Sequence, residues 1–142
     1  MANRAIVIKE TGGPEVLKIQ EIPDPKAPGP GQVLIRHTAI GVNFEDIYYR
    51  KGVYKAPKLP MVPGMEACGV VEAIGPGAIT PVGTRVIYAT AQTGSYCERR
   101  LINEKYLAGM PNTVQDNVAA GFFSKALTAH YLLYRVYGVK KG

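Results

Sequence analysis

Proline and glycine interrupt residues 11–112 so often that only short elements can form there. The stretch Pro23-Asp24-Pro25-Lys26-Ala27-Pro28-Gly29-Pro30-Gly31 is the densest case, and no helix or central strand tolerates it. Thr11-Gly12-Gly13-Pro14, Lys55–Gly64 and Gly75-Pro76-Gly77 are further breaks. Between them lie short β-prone runs. Residues 3–9 read as an opening strand and Val16–Ile22 as an imperfect one. Val33, Ile35, His37 and Ala39 alternate with Leu34, Arg36 and Thr38, which predicts a strand leading into Gly41. Gly69–Ile74, Thr84–Ala89 and Ser95–Ile102 supply three more. Asn43–Arg50 reads as a short helix, with Asn43 as N-cap and Asp46 and Arg50 at the spacing of a helical ion pair. Short strands at turn-rich intervals favour a barrel or sandwich over parallel βαβ units.

The last thirty residues differ in kind. From Thr113, taken as an N-cap, the chain runs to Tyr137 with Gly121 as its one interruption. Val118, Phe122, Phe123, Leu127, Tyr131, Leu132 and Val136 cover more than one helical face. A helix on a small barrel needs only one apolar stripe. Either a second body covers the other face, or the helix breaks near Gly121.

With 46% hydrophobic and 20% charged residues the chain is globular rather than disordered. No apolar run approaches the roughly 18 residues of a membrane span, and no secretory signal is visible, so the cytoplasm is the expected compartment. The net charge of +6 comes from scattered Lys and Arg, which predicts a solvated basic surface and no nucleic-acid partner. Cys68 and Cys97 can pair across the fold or stay apart; a reducing compartment favours two buried thiols. His37 and His130 stand in apolar elements without a second ligand at metal spacing and read as structural. No GxGxxG, GxSxG, HExxH or P-loop occurs. Composition and spacing alone predict a β-rich domain and no chemistry.

The segment Gly41-Val42-Asn43-Phe44-Glu45-Asp46-Ile47-Tyr48-Tyr49-Arg50-Lys51-Gly52-Val53-Tyr54 resembles the one that marks quinone oxidoreductases of the zeta-crystallin type. These are zinc-free members of the medium-chain dehydrogenase/reductase superfamily. Collinear likenesses are Gly12–Leu17, Pro63–Val71, Val82–Val86 and Lys125–Ala129. In zinc-dependent relatives a Cys ligand stands where this chain has Asn43, and a His where it has Met65. The four-cysteine lobe of a structural zinc is missing, so the resemblance implies neither zinc site.

The same resemblance implies a mainly β fold with some α: a GroES-like distorted β-barrel over 1–112, then a helix over 113–142. The helix would lead to a Rossmann cofactor domain absent from this chain. The implied activity is hydride transfer from NADPH to a small-molecule quinone without zinc. The parent protein would be a homodimer, and the 142 residues alone would be inactive. Asn43, Tyr48, Tyr54 and Thr128 are the implied catalytic wall, with Asn43, Tyr48 and Thr128 also touching NADPH. A zinc-free enone or enoyl reductase of the same superfamily is one alternative. A stand-alone GroES-like binding module is another.

Overall fold

Residues 2–56 and 58–141 are described by a computed structural model; Pro57, in the proline-rich connection, and Gly142, beyond which the second domain is expected, lie outside them. Among the described residues, seven strands form two antiparallel sheets. The larger contains β3 (Gln32–Gly41), β4 (Glu66–Ile74), β5 (Arg85–Ala89), β6 (Arg99–Asn103) and β7 (Ala108–Gly109), in the order β6-β3-β4-β5-β7. The smaller pairs β1 (Asn3–Val7) with β2 (Lys18–Ile22), placing Asn3 opposite Ile22. The other edge of β1 runs along Tyr96–Glu98, with Ile6 N–H on the Tyr96 carbonyl at 2.8 Å and Glu98 N–H on the Arg4 carbonyl at 3.0 Å. Ile8 and Met61 exchange both backbone bonds at 2.9 Å. These contacts fold the small sheet onto the large one and close a distorted barrel.

The alternation in β3 does what its sequence predicts: Val33 and Ile35 are fully buried and Arg36 is exposed. They join Ala67, Val71, Val86, Tyr88 and Ile102 in the barrel core. The opposite face of the sheet is covered too. Cys68 and Ile87 pack there against Ala119 and Ala120 of α2 (Asp116–Tyr131). Burial on both faces accounts for the near-continuous apolar run in β4. Both cysteines are free and buried.

Several boundaries differ from expectation. Strand β4 begins at Glu66 rather than Gly69, and β6 begins at Arg99 rather than Ser95. Residues before Arg99 are diverted because Gly94 and Ser95 N–H both bond the Gly64 carbonyl and Tyr96 N–H bonds that of Pro63. The N-cap of α2 is Gln115, not Thr113, which is exposed in the preceding turn. The helix passes through Gly121 unbroken and ends in a π-helical turn, Leu132–Val136. Only Ala119 and Ala120 of α2 are buried and Phe123 is half-buried against them, while Val118, Phe122, Leu127 and Tyr131 are exposed. The Asp46–Arg50 ion pair does not form. Arg50 Nη1 donates to the Gly12 carbonyl at 2.9 Å, and Asp46 accepts from Tyr96.

His37 is a structural histidine with a defined tautomer. The Cys97 carbonyl, 2.7 Å from Nδ1, can only accept, so Nδ1 carries the proton. Nε2 then accepts from the Tyr88 hydroxyl at 2.9 Å, and the Tyr88 oxygen accepts from Arg100 at 3.2 Å. Burial lowers the His37 pKa to about 4; the nearby Arg100 charge acts in the same direction, and the Cys97 bond opposes both. The unfolded chain binds this proton with the ordinary imidazole pKa of 6.5, so it holds more protons than the folded chain below that pH. The His37 contribution to stability is complete above about pH 6.5 and is lost as pH falls toward about 4. Urea unfolding across this window is expected to show a slope approaching about 1.4 kcal/mol per pH unit from this group. His37→Gln should remove that component, and equal slopes in the two proteins would contradict the assignment.

Candidate active site

Two β-strand ends and two helices converge on a cavity of about 320 Å³. It is lined by Asn43 before α1 (Phe44–Lys51), by Met65 and Glu66 at the start of β4, by Ala89 and Thr90 beyond β5, and by Ser124 of α2. Helix α1 is pinned at both ends. Asn43, extended at φ −126°, donates its backbone N–H to Asp46 Oδ2 at 2.9 Å. At the other end Gly52 takes φ 78°, the left-handed conformation that suits glycine, and its N–H bonds the Tyr49 carbonyl. Asp46 is buried and also accepts from the Tyr96 hydroxyl at 2.9 Å. Burial and the Asp46 carboxylate push the Tyr96 pKa up, which keeps the phenol a donor.

At the centre lies Glu66, fully buried. Its Oε1 accepts the Ser124 backbone N–H at 2.7 Å. Its Oε2 accepts Asn43 Nδ2 at 2.8 Å and Lys125 Nζ at 3.3 Å. The ammonium of Lys125 also reaches the Val42 carbonyl at 3.2 Å. The carboxylate thus meets three donors on two elements, the arrangement a buried charge needs. Gly41 permits this approach: a Cβ there would sit 2.3 Å from the Ala120 carbonyl and 2.5 Å from Glu66 Oε2.

Of the four residues expected at the site, only Asn43 lines the cavity. Tyr48 and Tyr54 lie outside it, 38% and 43% exposed, with ring centroids 5.3 Å apart. Phe44 and Tyr49 extend this aromatic surface, at 6.4 Å from Tyr48 and 5.6 Å from Tyr54. Such exposure is not that of core residues. Thr128 is exposed and donates back to the Ser124 carbonyl at 2.9 Å, one helical turn earlier. In the sequence Glu66 falls within the likeness Pro63–Val71 with no role assigned to it, and Ser124 and Lys125 are likewise passed over. Lys125 stood in a quoted segment, but a main-chain donor such as Ser124 N–H leaves no side-chain signature.

Among the described residues no three His, Cys, Asp or Glu side chains gather to hold a metal ion. The donors at the cavity suit one poorly: the Asn43 amide and the Met65 thioether flank a carboxylate already saturated with N–H partners. A wider apolar groove of about 520 Å³ between β1, β2 and β3 has the exposed Arg4–Glu98 pair on its rim and no comparable buried charge. No helix among the described residues is long and apolar enough to cross a membrane.

A distorted antiparallel barrel with a helix across its outer face and a polar cavity at their seam is a GroES-like domain. The chain belongs to the alcohol dehydrogenase GroES-like domain family, which matches residues 29–136. It is similar to the quinone oxidoreductase of Pseudomonas aeruginosa, 43% identical over 132 residues, covering 92% of this chain and 40% of that protein. The crystal structure of Escherichia coli quinone oxidoreductase complexed with NADPH superposes with a TM-score of 0.93 at 37% identity, over 96% of this chain and 42% of that one. A 2-haloacrylate reductase from a Burkholderia species is 41% identical over 144 residues, covering 97% of this chain and 43% of the relative. The chain therefore spans about 40% of the length of the curated relatives it matches.

Proposed function

We propose that this chain is the catalytic half of a zinc-independent, NADPH-dependent quinone reductase, with residues 1–112 as its barrel and 113–142 leading to a nucleotide-binding body. The observation that carries the reading is a half-built cleft. The Asn43–Glu66 cavity adjoins α2, and Phe122, Leu127 and Tyr131 on that helix and Leu132 just after it are 49–64% exposed. An apolar helix left bare beside a polar cavity is the expected state of a domain waiting for its other wall.

The cavity fits one end of a dinucleotide and no more. Its volume lies at the lower limit of ligand pockets, roughly 300 Å³, so the rest of the cofactor must bind on the body that follows. When bound, NADPH supplies the hydride. This chain's residues supply the orientation: Asn43 from the cavity wall for the nicotinamide end, with Tyr48 and Thr128 as exposed groups outside the cavity that the bound cofactor would meet. Tyr48 and Tyr54 offer aromatic area to a flat acceptor and phenol donors to its oxygens, where charge develops on reduction. The likeness to quinone oxidoreductases over nearly the whole chain supports the quinone as acceptor. The haloacrylate reductase favours one second reading, an activated alkene as acceptor in the same cavity. The parent protein is proposed to be a cytoplasmic homodimer.

Because Tyr48 is exposed, Tyr48→Phe should leave the thermal midpoint unchanged within about 1 °C. In a protein completed with a cofactor domain, turnover should fall about tenfold, through loss of one donor to the acceptor oxygen. Unchanged kinetics would remove Tyr48 from the site. A substrate panel separates the readings, since activity on 2-alkenals alone would defeat the quinone assignment.

A further inference from the structure

Glu66 reaches no exposed surface, yet it is the point where three separate elements meet in the cavity. Its carboxylate joins Asn43 at the head of α1 to Ser124 and Lys125 in the middle of α2. Lys125 extends the link to the Val42 carbonyl, one residue before Asn43. The residue proposed to face the nicotinamide is thus held from both sides by one acid–base pair. Glu66 is fully buried at the seam of β4 and α2, whereas the Lys125 side chain is 47% exposed.

We propose that Glu66 and Lys125 are positioning residues for the Asn43 amide. Glu66 accepts one amide hydrogen and so fixes which way the amide faces. Lys125 holds the Glu66 carboxylate and the Val42 carbonyl in place. An amide has two faces of opposite character, a donor NH₂ and an acceptor oxygen, and a free one can present either. With Nδ2 committed to Glu66, the orientation is single, and the cavity meets a fixed hydrogen-bonding pattern. The catalytic consequence rests on the quinone reductase reading; the positioning itself does not.

Two measurements keep these apart. In the 142-residue chain, the Asn43 side-chain amide resonances, assigned by their loss in Asn43→Ala, report its hydrogen bond directly. Glu66→Gln keeps the shape and supplies an NH₂ where an acceptor stood. It should shift the Asn43 amide protons and speed their exchange with water at least fivefold. Lys125→Met, at a half-exposed helical position, should produce a smaller shift of the same sign and serves if Glu66→Gln does not fold. Asn43 resonances unmoved in the folded variants would overturn the proposal, whatever the substrate.

The second readout is kinetic. In the chain completed with a cofactor domain, Glu66→Gln should lower kcat at least tenfold while KM for NADPH stays within about twofold. Glu66→Asp, which retains the acceptor, should recover part of kcat. A fall in thermal stability with kcat intact would mean a purely structural acid. If the unmutated protein reduces no quinone while the resonances move as expected, the quinone reading fails and the positioning stands.

Discussion

Replacing Gly41 by valine is expected to lift α2 off the barrel and to cost about 3 kcal/mol or more. A side chain at this position has no direction in which to relax. Its first carbon would lie 2.3 Å from the Ala120 carbonyl, which is helix backbone, and 2.5 Å from the buried Glu66 carboxylate. Both are fixed, the first by the helix and the second by three hydrogen bonds. The clash is relieved only if α2 moves, and that movement uncovers Cys68 and Ile87 and separates Ser124 from Glu66. Denaturant unfolding measures the loss. Because the cavity wall is carried on the same helix, activity in a completed protein should fall further than stability alone explains. Gly77→Ala is the control, since nothing lies within 4 Å of an added Cβ there. Its cost should come from the φ of 79° alone, about 1 kcal/mol. Equal costs for Gly41→Val and Gly77→Ala would show that β3 and α2 are not in the contact described.

The barrel was largely legible in the sequence because its strands obey simple rules. The period-two pattern of Val33, Ile35 and their neighbours gave β3 its inner face, and proline placed the loop at 23–31. Errors arose where tertiary contacts override local pattern. Ser95–Ile102 reads as one strand, yet its first residues are captured by Pro63 and Gly64 and cross over to β1. Thr113 is the better N-cap by residue type. The helix nevertheless starts at Asp116, whose carboxylate pairs with Arg85, while Arg85 also bonds the Pro111 and Val114 carbonyls. The spacing of Asp46 and Arg50 suggested an ion pair, but Tyr96 and the Gly12 carbonyl, distant in sequence, supply their partners.

The site was less legible. Asn43 and Tyr48 were singled out only through a family resemblance, since an amide and a phenol have no reactive signature of their own. The resemblance said nothing of how Asn43 is held. That depends on Glu66 and Lys125, 23 and 82 residues further along the chain, and on a main-chain N–H. The excess of apolar residues in the last thirty was read as either a missing body or a helix break. The helix runs unbroken through Gly121, against the second reading, and its exposed apolar residues support the proposal of the first.

The central claim is that this chain forms one wall of a cleft whose other wall lies on a cofactor-binding body. It is tested most directly by joining residues 1–142 to the part of the Pseudomonas aeruginosa quinone oxidoreductase that follows its matched region. NADPH oxidation is then measured with a quinone, for the chain alone and for the fusion. The chain alone should bind NADPH weakly and turn over no quinone, because its cavity of about 320 Å³ holds only one end of the cofactor. The fusion should reduce quinone at least a hundredfold faster than either part, and that gain should vanish when Asn43 and Tyr48 are both replaced by alanine. Robust quinone turnover by the 142 residues alone would contradict the account. So would a folded, NADPH-binding fusion that transfers no hydride to quinones or activated alkenes.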